Sequence, residues 1–303
     1  MSNSPSIKDW LDAFRLRTLP LALSCILVGS GMAYGSTSFN WIIFILAIST
    51  TLFLQILSNL ANDYGDSEKG TDNKDRVGPV RTIQSGKITP AQMKKGIIGL
   101  VILTLISGIS LIYNSNLGEN ILAQIGFVLL GVICIIAAIK YTAGKGAYGY
   151  KGLGDVFVFL FFGLVGVCGT YFLFTKEIHL LQVLPGISIG LFSAAVLNLN
   201  NMRDIDNDGA SGKNTLVVKI GLSKAKIYHL SIILVGITTS IVYVLQNSYS
   251  IINFLFIISF IPLVIHLIKV FQTKIPANLD PELKKVALST FLFSILFWIS
   301  ITL

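Results

Sequence analysis

Charge is scarce in this chain. Asp, Glu, Lys and Arg together make up 13% of its 303 residues, about half of what a water-soluble domain carries, and that excludes an ordinary soluble fold. Cysteine is scarcer still. Cys25, Cys134 and Cys168 each lie inside an apolar run and form no CxxC pair, so neither a disulfide framework nor a cysteine zinc site is indicated. The three histidines, His179, His229 and His266, are isolated in sequence and share no metal-binding motif. Acidic residues number 15 against 23 Lys and Arg, leaving a net charge of +8. That surplus is spread over short loops instead of one basic face, so it reads as membrane topology and not as a nucleic-acid partner. No cleavable signal peptide is expected, because residues 1–17 are polar and no small-residue cleavage site follows the first apolar run.

What the chain has in abundance is apolar sequence: 53% hydrophobic residues and a mean hydropathy of +0.75. Nine runs, at about 18–35, 40–62, 93–113, 121–140, 154–174, 181–201, 225–246, 250–271 and 285–302, each approach the roughly 20 residues needed to cross a bilayer. Backbone hydrogen bonds must close within each run, so the fold class is all-α and polytopic. All Lys and Arg except Lys176 fall in the N-terminal tail or in the loops after even-numbered spans, which sets those segments in the cytoplasm. Ahead of the spans, Ile7, Trp10, Leu11 and Phe14 recur at i, i+3, i+4 and i+7 among Lys8, Asp9, Asp12 and Arg15. Residues 1–17 therefore read as an interfacial amphipathic segment, and 18–303 as one nine-span membrane domain.

Two polar stretches stand out at the ends of apolar runs on that cytoplasmic side. The first, Asn59 to Asn73, carries Asn59, Asn62, Asp63 and Asp66 at a spacing that shares one helix face. The second, Asn198 to Asp208, carries Asn200, Asp204 and Asp208 at i, i+4 and i+8. Carboxylates close to lipid are costly and default to a functional role. Magnesium prefers hard oxygen ligands and takes one or two carboxylates plus substrate phosphates, so Asn62, Asp66, Asn200, Asp204 and Asp208 are candidate metal ligands, with Asp63, Asp72 and Asp206 behind them. Arg76, Arg81, Lys87, Lys145 and Lys213 could neutralise a diphosphate leaving group, although topogenic charge explains any single one of them. The loop Tyr141 to Asp155 holds five glycines, a density that lets backbone approach a ligand closely; Asp155 there opens span five, where an acid also complements the helix dipole. Gly209 to Lys213 suggests a P-loop but lacks its first glycine and its Ser/Thr, which excludes that form of nucleotide hydrolysis. A faint repeat (NLxN at 59 and 198, SGKxT at 85 and 211) hints at two related helical halves.

These stretches resemble the UbiA superfamily of intramembrane prenyltransferases. The superfamily pattern NxxxDxxxD matches Asn62 and Asp66, with Gly70 in its third position and Asp72 as a substitute nearby; its second pattern matches Asn200, Asp204 and Asp208. RTIQSG (Arg81 to Gly86) is similar to the segment that follows the first motif, and Tyr141xxxLys145 to the YxxxK loop. Within the superfamily, NLANDYGDxxxGTD, the run Gly149 to Gly163, and NNMRDIDNDxxxGKxTLVVxxG are similar to the branch that prenylates 1,4-dihydroxy-2-naphthoate in menaquinone synthesis. The resemblance spans about residues 15–222; the last three spans match in number and hydrophobicity alone.

The resemblance implies nine helices around a central pocket open sideways to lipid. It further implies Mg2+ bound by both stretches, a polyprenyl diphosphate donor, and decarboxylative prenylation of 1,4-dihydroxy-2-naphthoate to demethylmenaquinone. The candidate catalytic residues are Arg81, Tyr141, Lys145, Asp155, Arg203 and Lys213, of which Arg81, Tyr141 and Lys145 fall in the matching segments, and the candidate substrate contacts are Asn59, Asn62, Asp63, Asp72 and Asn201. The location implied is the inner (plasma) membrane with the active site toward the cytoplasm. Two rival expectations stand beside it. One is a sister enzyme with a 4-hydroxybenzoate-type acceptor or a phytyl donor. The other is an ion-coupled transporter, which would place its acids near the bilayer midplane and not at cytosolic helix ends.

Overall fold

Residues 5–35, 39–74, 76–118, 120–247 and 250–303 are described in the computed structural model. Five of the helices begin where a side chain satisfies their free N–H groups. Ser6 and Asp9 form a capping box for α1 (Ile7–Phe14), which leads into α2 (Leu19–Tyr34). Asn40 caps α3 (Trp41–Glu68), Thr89 and Gln92 box α4 (Pro90–Asn114), and Asn120 caps α5 (Ile121–Lys140). The fifth span, α6 (Gly154–Thr175), is followed by α7 (Val183–Arg203), the short α8 (Ile205–Ala210) and α9 (Leu216–Gln246), capped by Thr215. A 3-10 segment, Ile251–Ser259, runs into α10 (Phe260–Gln272), and α11 (Asp280–Thr302) closes the chain. Among the described residues nine helices are long and apolar enough to cross a membrane, and the chain is a multi-pass membrane protein.

The spans differ from the sequence expectation at their ends. Helix α3 continues to Glu68 instead of stopping near 62. Its 28 residues reach about 42 Å at 1.5 Å per residue, well beyond a hydrocarbon core of about 30 Å. The last turns, which carry the first polar stretch, therefore project past the lipid. Helix α9 starts at Leu216, well before 225, and bends at Gly221, whose φ of 77° breaks the helical backbone. Helix α11 starts at Asp280 because an Asp-Pro-Glu run favours a helix N-terminus.

Span five is not a plain α-helix. Phe159–Gly169 is wound as a π-helix, a form that concentrates at functional sites. It lies directly against α7: a Cβ on Gly163 would be 2.5 Å from the Gly186 carbonyl oxygen, and one on Gly190 would be 2.8 Å from the Phe159 ring. Small residues at this crossing let two backbones meet, as membrane helix pairs often require.

Packing is densest in the C-terminal half. Phe192, Phe256, Phe260, Phe293 and Phe297 interlock, mostly edge to face, where α7, α10 and α11 meet. Helices α3, α4 and α5 instead enclose space, and α5 buries only Ile135 and Ala137. Helix α1 docks on this half: Ala13 is buried, and Trp10 lies against Gly96 of α4.

Candidate active site

The four polar residues of α3 do not act as one row. Asn59 donates from Nδ2 to the Phe14 carbonyl at 2.9 Å and to Thr18 Oγ1 at 3.0 Å. Asp63 is ion-paired with Arg15, and with Arg81 at 3.5 Å. These two expected substrate contacts are instead occupied in tying the N-terminal segment to α3. Asn62 and Asp66 face the glycine-rich loop. Asn62 Oδ1 accepts from Thr142 Oγ1 at 3.2 Å, and Asp66 Oδ1 accepts from the Tyr150 hydroxyl at 2.7 Å. Gly65 between them is required by contact, since a Cβ there would be 2.6 Å from the Thr142 carbonyl carbon.

The second stretch is broken, not continuous: α7 ends at Arg203, and Asp204 has a non-helical backbone before α8 begins. Arg203, with a side chain 1% exposed, grips Asp204 through Nε at 2.9 Å and Nη2 at 2.5 Å. It also donates to Asn200 Oδ1 at 2.9 Å and to Asp280 at 2.6 Å. The Arg203 donors are thus spent on orienting Asn200 and Asp204 and on Asp280.

The two stretches meet at Lys213. Its ammonium lies 4.0 Å from Asp66 and 3.7 Å from Asp208. Asn207 Nδ2 donates to the Thr71 carbonyl at 3.1 Å and closes the same junction. Tyr150 forms its floor, with Lys69 4.0 Å and Lys213 5.5 Å from its ring centre. Lys69, Thr71, Tyr150 and Asn207 were not singled out from sequence. The signal for Tyr150 was its place in the glycine-rich loop, and for Lys69 its place one turn after Asp66.

Lys145 is not brought to this junction. It is exposed on a turn made by Gly144 and Gly146, both at positive φ, and the cleft cations are Lys69 and Lys213 instead. Arg81 is set back as well. It belongs to an alternating chain Arg15–Asp63–Arg81–Asp72–Arg76 and lines a separate basic cavity of about 470 Å3 with Arg15, Arg17 and Lys87. Asp72 is held in this chain by Arg81 and Arg76. Tyr141 packs between Tyr148 and Gly154 and lines the apolar cavity described below, while Asp155 is buried in the first turn of α6. Asn201 is buried on α7, and among the described residues its Oδ1 has no hydrogen-bond partner.

Electrostatics mark the cleft as strained toward cation binding. Burial pushes the Asp208 carboxyl up to about 6 in spite of Lys213, with Asp204 and Asp66 adding to the rise. Burial and Asp66 likewise push Asp72 up to about 6. Burial lowers Arg81 to about 9, and Arg15 adds to that. Burial opposes the charge on Lys213, but Asp66, Asp208, Asp204 and Asp72 together outweigh it and raise its pKa. Asp208 Oδ2 is buried without a donor among the described residues. Among those residues no three His, Cys, Asp or Glu converge on one point. The oxygen-only donor set thus fits a hard divalent cation that takes one carboxylate from each stretch and completes its shell with phosphate and water.

A raised carboxyl pKa carries a stability consequence with a definite sign. The contribution of Asp208 is present below the ordinary carboxylate range and is lost as pH rises through about 6. Asp208→Asn, which mimics the protonated form, is therefore expected to melt higher than wild type at pH 7.5, by about 2–4 °C for each kcal/mol relieved. It should also narrow the gap in melting temperature between pH 5 and 7.5. Thermal unfolding of both proteins in detergent checks this; an Asp208→Asn protein that melts lower at pH 7.5 would contradict it.

Below the cleft lies an apolar cavity of about 380 Å3. Asn59, Asn62 and Tyr141 line its polar end; Phe157, Phe161 and Phe162 of α6 form one wall, and α2 through α5 supply most of the rest, with Tyr148 and Leu197 beside them. Tyr148 stacks on Phe157 at 4.0 Å and Phe127 on Phe172 at 5.4 Å, bridging α6 to the α5 side.

Comparison with known proteins agrees with this architecture. The model of the UbiA prenyltransferase family matches residues 22–298. A 1,4-dihydroxy-2-naphthoate octaprenyltransferase of Haemophilus influenzae is 42% identical, over 96% of this chain and 94% of its own. The Escherichia coli protein of the same description is 40% identical, over 97% and 95%. Among solved structures, a UbiA homolog from Archaeoglobus fulgidus superposes with a TM-score of 0.67 at 15% identity, over 97% of this chain and 100% of the other. The same homolog bound to DMAPP and Mg2+ gives 0.65 at 16% identity, over 97% and 99%.

Proposed function

The chain belongs to the UbiA prenyltransferase family, and from that premise we propose that it transfers a polyprenyl group from its diphosphate to 1,4-dihydroxy-2-naphthoate at the mouth of the apolar cavity. One observation carries the reading: Asp66 and Asp208, from two different helix ends, converge on Lys213 directly above that cavity. The naphthoate prenyltransferase relatives at 40–42% identity over nearly the whole chain support the same acceptor.

Asp66 and Asp208 are the residues that would hold magnesium, with Asn62, Asn200 and Asp204 on the same two helix ends; the ion would supply positive charge to the departing diphosphate. Lys213 and Lys69 bind diphosphate oxygens by charge-assisted hydrogen bonds. Tyr150 fixes Asp66, and Arg203 fixes Asn200 and Asp204, so the ligand oxygens need little reorganisation. Arg81 acts one step back, through Asp72 and Asp63. The allylic C–O bond breaks with its electron pair on the diphosphate. Tyr148, Phe157 and Phe161 line the space where positive charge develops and keep water away from it. The ring carbon bearing the carboxylate forms the new C–C bond, and carbon dioxide leaves, returning its bonding pair to the ring. The product is the hydroquinone form of demethylmenaquinone. A cavity of about 380 Å3 suits the first isoprene units, and the remainder of an octaprenyl-sized chain extends into lipid.

The membrane is the inner (plasma) membrane in this reading, with the cleft toward the cytoplasm. The support is the charge asymmetry, since every Lys and Arg but Lys176 lies on the cleft side. Single cysteines at Asn116 and Ser85 of a cysteine-free variant are expected to label from opposite faces, and labelling of both from one face would overturn the orientation. The function itself is tested with purified protein, a polyprenyl diphosphate and the naphthoate. Product is expected with magnesium and none after chelation; turnover that survives chelation would remove the metal from the reading.

A further inference from the structure

His229 and His266, isolated in sequence, meet inside the membrane domain. The two Nε2 atoms are 2.8 Å apart. His266 Nδ1 lies 2.7 Å from Glu282 Oε2, and Lys285 donates to Glu282 Oε1 at 2.6 Å. At the other end His229 Nδ1 lies 3.2 Å from Asn198 Oδ1. Asn198, His229 and His266 are 0% exposed and Glu282 is 2% exposed. The result is one buried polar chain that crosses α7, α9, α10 and α11 and ends on α7 at Asn198, the first residue of the second polar stretch.

We propose that Glu282, His266 and His229 are positioning residues that act through Asn198 to hold the cytosolic end of α7 in register. The proposal rests on the prenyltransferase reading. Helix α7 has two faces at this end. Its front carries Leu197, which lines the cavity, together with Asn200 and Asp204; its back carries Asn198. Rotation or sliding of α7 by a fraction of a turn would move Asn200 and Asp204 off the donor diphosphate, and misplacement by about 1 Å can cost about a hundredfold in rate. Apolar contacts alone resist such sliding weakly, because they are non-directional. A hydrogen-bonded chain resists it through fixed distances and angles.

The first turn of α11 grips α7 along two lines. Asp280 holds Arg203, which holds Asn200 and Asp204; Glu282 holds Asn198 through the two imidazoles. The chain is also directional. With Asn198 Oδ1 toward His229, that imidazole donates from Nδ1 and accepts at Nε2, so His266 donates from both nitrogens. With Asn198 Nδ2 toward His229, both rings are neutral. Either order needs the Glu282 carboxylate as the terminal acceptor. Such a chain is a poor stability device, because well-packed apolar residues of equal volume often serve as well or better. Its value lies in orientation, as it does for outer partners of metal-binding side chains.

The test compares wild type with Glu282→Gln, His229→Gln, His229→Leu, Asn198→Leu and the double variant His229→Leu/Asn198→Leu. Thermal unfolding is measured alongside steady-state kinetics, and magnesium-dependent binding of a prenyl thiolodiphosphate by calorimetry. The single variants are expected to raise the prenyl diphosphate KM and the magnesium midpoint by about 10–100-fold. The KM for the aromatic acid should stay constant, and the double variant should be no worse than the worse single one. A purely structural role would lower the yield of folded enzyme while leaving KM and the magnesium midpoint where they are. Folded Glu282→Gln or His229→Gln protein with wild-type values, or additive effects in the double variant, would overturn the proposal. If the leucine variants fail to fold, the two glutamine variants decide it. A wild-type protein with no magnesium-dependent binding of the analogue would overturn the prenyltransferase reading itself, and this proposal with it.

Discussion

Asp66→Ala is expected to lower turnover by about two to three orders of magnitude while leaving the folded protein intact. Asp66 is the one carboxylate of the first stretch that faces the cleft, 4.0 Å from Lys213 and hydrogen-bonded by Tyr150 at 2.7 Å. Its removal leaves Lys213 with Asp208 alone, 3.7 Å away, so a buried cation keeps a partner and the fold loses little. The diphosphate would lose one of two converging anionic ligands for its metal, and nothing on α3 replaces it, because Asp63 is committed to Arg15 and Arg81. Asp204→Ala should match the loss of turnover but differ in stability. It removes two short charge-assisted hydrogen bonds from an Arg203 side chain that is 1% exposed, each worth about 1.5–3 kcal/mol, while Asp280 and Asn200 stay in place; Lys213 in Asp66→Ala loses a single, looser contact at 4.0 Å. Product formed per folded enzyme, measured by chromatography beside thermal unfolding, separates the two. Asp66→Ala turnover within roughly tenfold of wild type would show that the cleft between the two stretches is not where the diphosphate reacts.

This asymmetry between Asp66 and Asp63 shows what could be read from sequence. The helix, its length class and the side of the membrane all follow from hydropathy and the distribution of lysine and arginine. The spacing that put Asn59, Asn62, Asp63 and Asp66 on one face was also sound as geometry. Their division of labour was not readable, because it depends on Arg15, 48 residues away from Asp63, and on the loop at Thr142. Arg203 and Lys145 illustrate the same limit. Both are cations close in sequence to the expected site, yet Arg203 is consumed by Asn200, Asp204 and Asp280, while two glycines at positive φ carry Lys145 outward. Lys69 and Tyr150 fill that space. The histidines show the limit most sharply: 37 residues separate His229 from His266, and only the packing of α9 against α10 makes them neighbours. The π-winding of Phe159–Gly169 has no counterpart in apolar content, since a uniformly apolar span has no periodicity to betray its pitch.

In a direct competition with one donor, 1,4-dihydroxy-2-naphthoate is expected to be prenylated at least about a hundredfold more efficiently than 4-hydroxybenzoate, with one carbon dioxide released per product. The acceptor must meet the allylic carbon at the junction of the polar cleft and the apolar cavity, beside Asn62, Tyr141 and Tyr148. The second ring of the naphthoate adds apolar surface there, and at about 25 cal/mol per Å2 that is worth about 1–2 kcal/mol, or roughly tenfold. The rest comes from polar matching, because a buried group left without its partner is penalised more heavily than a missing contact. Asn201 Oδ1 is such a group, buried and without a donor among the described residues, one turn after the cavity-lining Leu197 on α7, and a ring hydroxyl is the donor proposed for it. Asn201→Leu should therefore erode the preference for naphthoate more than it lowers turnover with saturating naphthoate. Carbon dioxide release discriminates the chemistry from the binding. A ring that bonds the cation through its carboxylate-bearing carbon must lose that carboxylate as carbon dioxide to regain aromaticity, whereas bonding through a neighbouring carbon loses a proton and keeps the carboxylate. Prenylated benzoate as the main product, or prenylated naphthoate that retains its carboxylate, would show that this cleft serves a different aromatic acceptor, with the Asp66–Lys213–Asp208 diphosphate site left standing.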